Sequence, residues 1–322
     1  MKSGFVRLCL GVVLGVVAVF TAARADETVI LGSVGSGSAN SWPTHIAVAK
    51  GFFAAEGLTP DLVYAQSNAG VNQQLAAGSI NVATNSGLVD PIRAIDKGAP
   101  VALLRIEMQA PPYTLLGKPE IKSLAQLKGK TISVGGAKDI TRIFAERMLA
   151  SAGVKPGEYD LIYAGATSAR FAALQAGAAD AAILAPPFSF RARTAGFSAL
   201  GNAVDFVDMP FAGMAVNRNW AAANKRTVDK LVAVYNRAMA WFYDAKNRDE
   251  AVAILLKSSR MKKEDAEQSY QFLHDGKYFE PTGTVSRKKL GSLIAALQQL
   301  GDLPASMTVE HLILPGVTKL SD

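Results

Sequence analysis

Apolar and polar positions along the chain fall into one string of elements, used twice. A β-rich run from Val29 to Val34 ends in a Gly/Ser turn, and a helical stretch from Pro43 to Glu56 follows, stopped by Gly57. A second strand, a second helix stopped by Gly78 and a third short strand complete the unit. The same order returns with a strand at Thr131 to Val134, a helix at Ile140 to Ala152, and stops at Gly153 and Gly177. The register is kept as well: Ser33-Val34-Gly35 recurs as Ser133-Val134-Gly135, and Asp61-Leu62-Val63-Tyr64-Ala65 as Asp160-Leu161-Ile162-Tyr163-Ala164. Leu75 to Ala83 is matched by Leu174 to Ala182.

Two βαβαβ units predict an α/β fold with parallel sheets and covering helices, arranged as two similar lobes. A connector is expected around Leu103 to Tyr113, ending in Pro111-Pro112, and a return path near Met209 to Met214. From Trp220 to Asp322 the pattern is helical, with stretches from Thr227 to Tyr243, Arg248 to Lys257, Lys262 to Leu273 and Ser286 to Leu300. This tail is expected to pack back on the first lobe. The predicted division is 26–110 with 214–322 for one lobe and 111–213 for the other.

The first 25 residues differ from the rest. Lys2 and Arg7 precede an uncharged run from Leu8 to Phe20, and Ala23-Arg24-Ala25 follows. Those are the parts of a secretory signal peptide cleaved after Ala25, and the run is too short to span a bilayer. Export to the periplasm is therefore expected. The chain carries 34 Lys+Arg and 27 Asp+Glu, a net +7, of which three charges leave with the signal. The remaining excess is small, with no basic run, which argues against nucleic acid. The one cysteine, Cys9, also lies in the signal, so the mature chain is expected to have no disulfide, thiol nucleophile or thiolate metal ligand.

Catalytic constellations are scarce. His45, His274 and His311 are far apart, and neither H-E-x-x-H, G-x-S-x-G nor a P-loop occurs. Gly35-Ser36-Gly37 copies part of a dinucleotide fingerprint, but Asn40 stands where the third glycine belongs. No catalytic residue, metal site or cofactor is expected.

In open α/β sheets ligands lie beyond the carboxyl ends of the strands. In the first unit that place holds Ser36, Ser38, Asn40, Ser41 and Trp42, with Ser41 a candidate helix cap. In the second it holds Lys138, Asp139 and Thr141, with Arg142 next in line. The third strands end at Asn85-Ser86 and before Phe188. Hydroxyls and amides would line a cleft walled by Trp42 and Phe188, with helix N-termini and Lys138 or Arg142 as counter-charges. Each residue has a plainer role as well. Trp42 before Pro43 fits a hydrophobic staple, Phe188 a cover for the second lobe's core, Lys138 and Arg142 a solvated helix start, and Arg105 and Glu107 a mutual pair. The basic groups favour a small organic anion; Asp139 in the same loop favours a cation or an amide donor.

Ala47-Val48-Ala49-Lys50-Gly51-Phe52-Phe53-Ala54-Ala55-Glu56-Gly57-Leu58 resembles the A-x-x-K-G-F-F-x-x-E-G-L stretch of the nitrate/alkanesulfonate/taurine-type substrate-binding proteins of ABC transporters. Leu127-Lys128-Gly129-Lys130-Thr131-Ile132-Ser133-Val134 agrees with them more loosely. The resemblance implies a periplasmic-binding-protein-like (type II) fold whose two lobes share a two-crossover hinge. It also implies a monomer that binds a small molecule at Ser36 to Trp42, Asn85-Ser86 and Lys138 to Thr141, and passes it to the transmembrane subunits of an ABC permease. An exported enzyme on the same scaffold and a receptor feeding a sensor are the alternatives.

Overall fold

The computed structural model describes residues 27–34, 38–65, 67–259 and 261–322. The expected signal peptide, Cys9 and Ser36 lie outside the described residues.

The chain forms two five-stranded mixed sheets of the same design. In the first, β1 (Glu27–Val34), β2 (Leu58–Ala65) and β3 (Val82–Gly87) are joined by α1 (Trp42–Ala49), α2 (Phe52–Ala55) and α3 (Asn68–Ala77). Helix α4 (Val89–Asp96) leads to β4 (Val101–Met108). The chain then crosses to the second sheet, where β5 (Thr114–Gly117) precedes the repeat of β6 (Thr131–Val134), α5 (Ile140–Ser151), β7 (Asp160–Tyr163), α6 (Thr167–Gln175) and β8 (Ala181–Leu184). After α7 (Phe188–Thr194) and β9 (Ser198–Asn202) it returns as β10 (Ala212–Asn217).

The strand orders are β2-β1-β3-β10-β4 and β7-β6-β8-β5-β9. In each sheet three parallel strands meet one antiparallel strand, β10 or β5. In both cases that strand is the first to follow a crossing from the other lobe. These are the two βαβαβ lobes read from the repeat, each completed by strands that the repeat lacks. Neither the Leu103 to Tyr113 connector nor the Met209 to Met214 return is only a link, since β4 and β10 occupy them.

The helix stops follow the glycines: Gly57, Gly78, Gly153 and Gly177 all take positive φ. The stretch from Pro43 to Glu56 is two helices, because Gly51 turns the backbone to φ 67 between α1 and α2. Helices α8 (Arg218–Ala223), α9 (Lys225–Tyr243), α10 (Arg248–Ser259), α11 (Lys263–Asp275), α12 (Arg287–Gln299) and α13 (Val309–Leu312) form the tail. Helix α9 buries Val228, Leu231, Val234, Tyr235, Ala238, Met239 and Phe242, a continuous stripe at helical spacing. Helix α9 packs on α1 and α2, and Arg105 of β4 reaches its Val232 carbonyl and Asn236. Among the described residues, no helix is long and apolar enough to cross a membrane.

Candidate functional site

The first lobe's half of the site grows from the carboxyl ends of β1 and β3. Asn85, two residues before the end of β3, lies in the left-handed region at φ 49, an unusual conformation for a residue with a side chain. This turns its backbone N–H onto Glu107 Oε2 at 2.5 Å, while its Nδ2 reaches Ser41 Oγ at 3.4 Å. Ser86 is buried and accepts a hydrogen bond from Asn72 Nδ2 at 3.2 Å. Ser41 has no side-chain bond to its helix, so the expected cap is absent. Ser38 instead caps the short 3₁₀ turn at Ala39–Ser41, accepting from Asn40 N at 3.2 Å. Ser41 thereby joins the turn after β1 to the last residues of β3.

Trp42 does not wall the cleft. Its side chain is wholly buried between Phe242 and Tyr270, and Nε1 donates to the Ala251 carbonyl at 2.8 Å. Apolar area of this size is stabilising only when water is excluded from it, and here helices α9 to α11 exclude it.

The second lobe contributes the loop from Gly135 to Thr141. Asp139 caps α5 by accepting from Thr141 N at 2.9 Å, and the Thr141 hydroxyl bonds to the same carboxylate while accepting from Gly135 N at 2.8 Å. The positive end of α5 is therefore already matched by a carboxylate of its own chain. Arg142 turns away to Glu146 Oε1 at 2.7 Å and the Ala137 carbonyl at 2.9 Å. Phe188 is half-buried and packs on Phe171, with the Arg191 guanidinium over its ring. It covers the second lobe's smaller apolar cluster. Asn40 is partly exposed beside Ser38.

Beneath the loop, Arg170 is 3% exposed and donates to Ile183 O, Gly165 O and Thr167 Oγ1. It also faces the ring and hydroxyl of Tyr113. A Cβ on Gly135 would lie 2.6 Å from Asp139 Oδ1 and 3.0 Å from Arg170 Nη1, so only glycine lets the loop settle there. The sequence reading missed Arg170. Its signal was the repeat itself, because the arginine stands at the position taken in the first unit by Val71, a core residue.

The electrostatics are dominated by burial. Glu107, 2% exposed, has its carboxyl pushed up to about 7 by desolvation, which the Asn85 N–H and the Arg105 charge only partly offset. Arg105 does not pair with it directly. Its Nη1 bonds to Asn236 Oδ1 at 2.9 Å and Val232 O at 3.3 Å, and Gly283 lies against the guanidinium. Burial also pushes the Asp90 carboxyl up; Arg93 lowers it, and Asp139 of the second lobe raises it.

Several contacts bring the two halves face to face. Arg93 Nη1 donates to the Lys138 carbonyl at 2.7 Å and its Nη2 to Asp302 Oδ2 at 2.5 Å, while Lys138 Nζ lies 3.3 Å from Asp302 Oδ1. Lys138 is thus held by the first lobe. Among the described residues, no group of three or more His, Cys, Asp or Glu could hold a metal.

A family model described as NMT1/THI5 like matches residues 38–249, from the turn before α1 to the first residues of α10, with both turns of the site. The chain belongs to the NMT1/THI5-like family. None of the curated proteins matches it in sequence. As a member of the NMT1/THI5-like family it shares its fold with the periplasmic aliphatic sulphonate binding protein SsuA of Escherichia coli. That match has TM-score 0.75 and 19% identity, over 90% of this chain and 98% of that one. The alkanesulfonate-binding protein SsuA of Xanthomonas axonopodis pv. citri, bound to MOPS, is similar, with TM-score 0.74 and 18% identity over 91% and 99%. The desulfurization enzyme DSZB also shares the fold, with TM-score 0.71 and 13% identity over 90% and 97%. The NMT1/THI5-like chain thus has the periplasmic-binding-protein architecture that the Lys50-Gly51-Phe52-Phe53 stretch implied.

Proposed function

We propose that this chain is an exported solute-binding protein that captures a small organic molecule between its lobes and delivers it to an ABC permease. One observation carries the reading: Arg93 of the first lobe donates to the Lys138 carbonyl at 2.7 Å, so the loop before α5 meets α4, the helix that follows β3. Carboxyl ends of both sheets then face a common cleft, the place where open α/β sheets bind ligands. Closure on a ligand adds the second lobe's contacts to the first's, and the closed form is stabilised by the ligand's differential affinity for it. Export draws on the basic, apolar and Ala-x-Ala order of the first 25 residues. Delivery to a permease draws on the family and on the fold shared with sulphonate-binding proteins.

An organic anion is favoured by those sulphonate-binding proteins, but the residues that suggested one here are occupied. Lys138 is bound to Asp302, Arg142 to Glu146, and the α5 N-terminus to Asp139. The second reading, an enzyme, is favoured by the fold shared with the desulfurization enzyme. Incubation of the purified chain with a concentrate of spent growth medium, followed by native mass spectrometry, separates the two. A noncovalent complex that releases a solute of unchanged mass supports capture, and a solute returned with altered mass supports the enzyme.

A further inference from the structure

Strand β3 breaks its ladder beside the cleft. Gly213 of β10 faces Ser86 and Ala215 faces Ala83, which leaves Thr84 and Asn85 together opposite Met214. That is a β-bulge, in which one residue drops out of the pairing and the strand bends to re-aim its side chains. Asn85 is also the residue at φ 49, so the bulge and the left-handed backbone coincide. A non-glycine residue persists there only where its surroundings hold it, and such residues cluster where proteins present groups to ligands.

The group that holds this one comes from across the sheet. Glu107 lies on β4, and β10 stands between β4 and β3. Its side chain spans that strand to accept the Asn85 N–H at 2.5 Å, the amide that the bulge releases. Glu107 is 2% exposed, while Arg105 donates to Asn236 and Val232 instead. Burial of a carboxyl without a direct ion pair is unfavourable, and a leucine of similar size would fill the space without that cost. Leucine could not accept the Asn85 N–H, and an acceptor is what the acid supplies.

We propose that Glu107 is a positioning residue, which holds the Asn85 bulge in shape in the empty protein so that the first lobe's side of the cleft is formed before a solute arrives. Asn85 Nδ2 lies 3.4 Å from Ser41 Oγ, so the same hold reaches the turn before α1. A segment already ordered loses less conformational freedom on binding, which strengthens the complex. That use of the bulge rests on the solute-binding reading above; the hold itself does not.

NMR on the solute-free mature protein, with isotope-labelled asparagine, tests the hold. Asn85 should show the backbone chemical shifts of a positive φ in the wild type and in Glu107→Gln, whose amide oxygen still accepts, and should lose them in Glu107→Leu. Burial leaves the Glu107 carboxyl to ionise at about 7, so from pH 6 to pH 8 the Asn85 N–H resonance should move downfield as its acceptor gains charge, a movement absent from Glu107→Gln. Arg105 of β4, Tyr235 of α9 and Glu280 surround Glu107, and His45 lies on α1; titration of any of these would survive the substitution. Native mass spectrometry of the same proteins after incubation with the spent-medium concentrate should find about tenfold less solute on Glu107→Leu than on Glu107→Gln. A folded Glu107→Leu that keeps the positive φ overturns the proposal, and so does equal capture of a solute by the two variants. An Asn85 resonance that ignores pH in the wild type, or titrates alike in Glu107→Gln, overturns it too, and this comparison decides should Glu107→Leu not fold. A wild type that captures nothing overturns solute capture instead, and the hold on Asn85 is then judged by the resonances.

Discussion

Arg191 of α7 and Asp265 of α11 join the two lobes: Nε lies 3.0 Å from Oδ2, Nη2 donates to the same oxygen, and the Asp265 side chain is only 10% exposed. Lys138 and Asp302 make a second ionic tie, and Asp208 lies 3.3 Å from Lys288 Nζ and 3.5 Å from Lys289 Nζ of α12 in a third. In the first two the carboxylate belongs to the helical tail and the cation to the second lobe. Closure is thus supported by contacts that need no ligand.

Removing the first two ties should open the empty protein. Arg191 is more than a third exposed, so solvent screens the pair and about 1 kcal/mol is a fair value, a roughly fivefold change in the open-to-closed ratio. Small-angle scattering of ligand-free Asp265→Asn with Asp302→Asn should show a larger radius of gyration than wild type. An unchanged radius would mean that the remaining contacts, Asp208 with Lys288 and Lys289 and Phe190 on Phe272, hold the lobes without them.

Stability should fall as pH rises through the weakly acidic range. Folded Glu107 keeps its proton up to about pH 7, against 4.5 ordinarily, because burial disfavours the carboxylate. Between those values the folded chain binds more protons than the unfolded one, so the contribution is complete below 4.5 and lost above 7. The interval bounds the effect at about 3 kcal/mol. Urea midpoints measured at pH 5 and pH 8 should differ in this direction, and Glu107→Gln should reduce the difference.

Trp42→Ala should cost about 3–5 kcal/mol of stability, the usual penalty for emptying a large core site. Trp42→Phe retains most of the packing but leaves the Ala251 carbonyl without its indole donor, a loss of about 1–3 kcal/mol. Chemical denaturation of both variants checks the order. Equal midpoints for Trp42→Phe and wild type would show that the indole bond contributes nothing.

Gly213 occupies an irregular point in β10, where an added Cβ would lie 2.7 Å from the Arg105 carbonyl. Backbone cannot yield there as a side chain could. Gly213→Ala should therefore destabilise the first lobe by about 1–3 kcal/mol, seen as a lower melting temperature.

The repeated units were legible because their signals are local: periodic apolar positions, a glycine stop and a constant offset. Strands β4 and β10 were not. Every residue of both is buried, so neither VALLRIEM nor AGMAVN alternates, and a continuous apolar run reads as a connector as readily as a strand. At the site, Ser41, Asn85 and Asp139 could be placed because strand ends are recognisable. Lys138, Arg142 and Trp42 were given ligand roles because a sequence does not show which charges meet within the protein. Asp302, Glu146 and the α9–α11 helices claim them, and all but Glu146 are distant in sequence.

Strand β10 lies between β3 and β4, yet it follows the whole second sheet in the chain. During synthesis the second lobe's strands are all present by Asn202, while the first sheet still has a gap that only Ala212–Asn217 can fill. The order of maturation is thereby reversed relative to the order of translation. The lobe begun first is finished last, and its slow, non-local pairing waits for chain made after its neighbour.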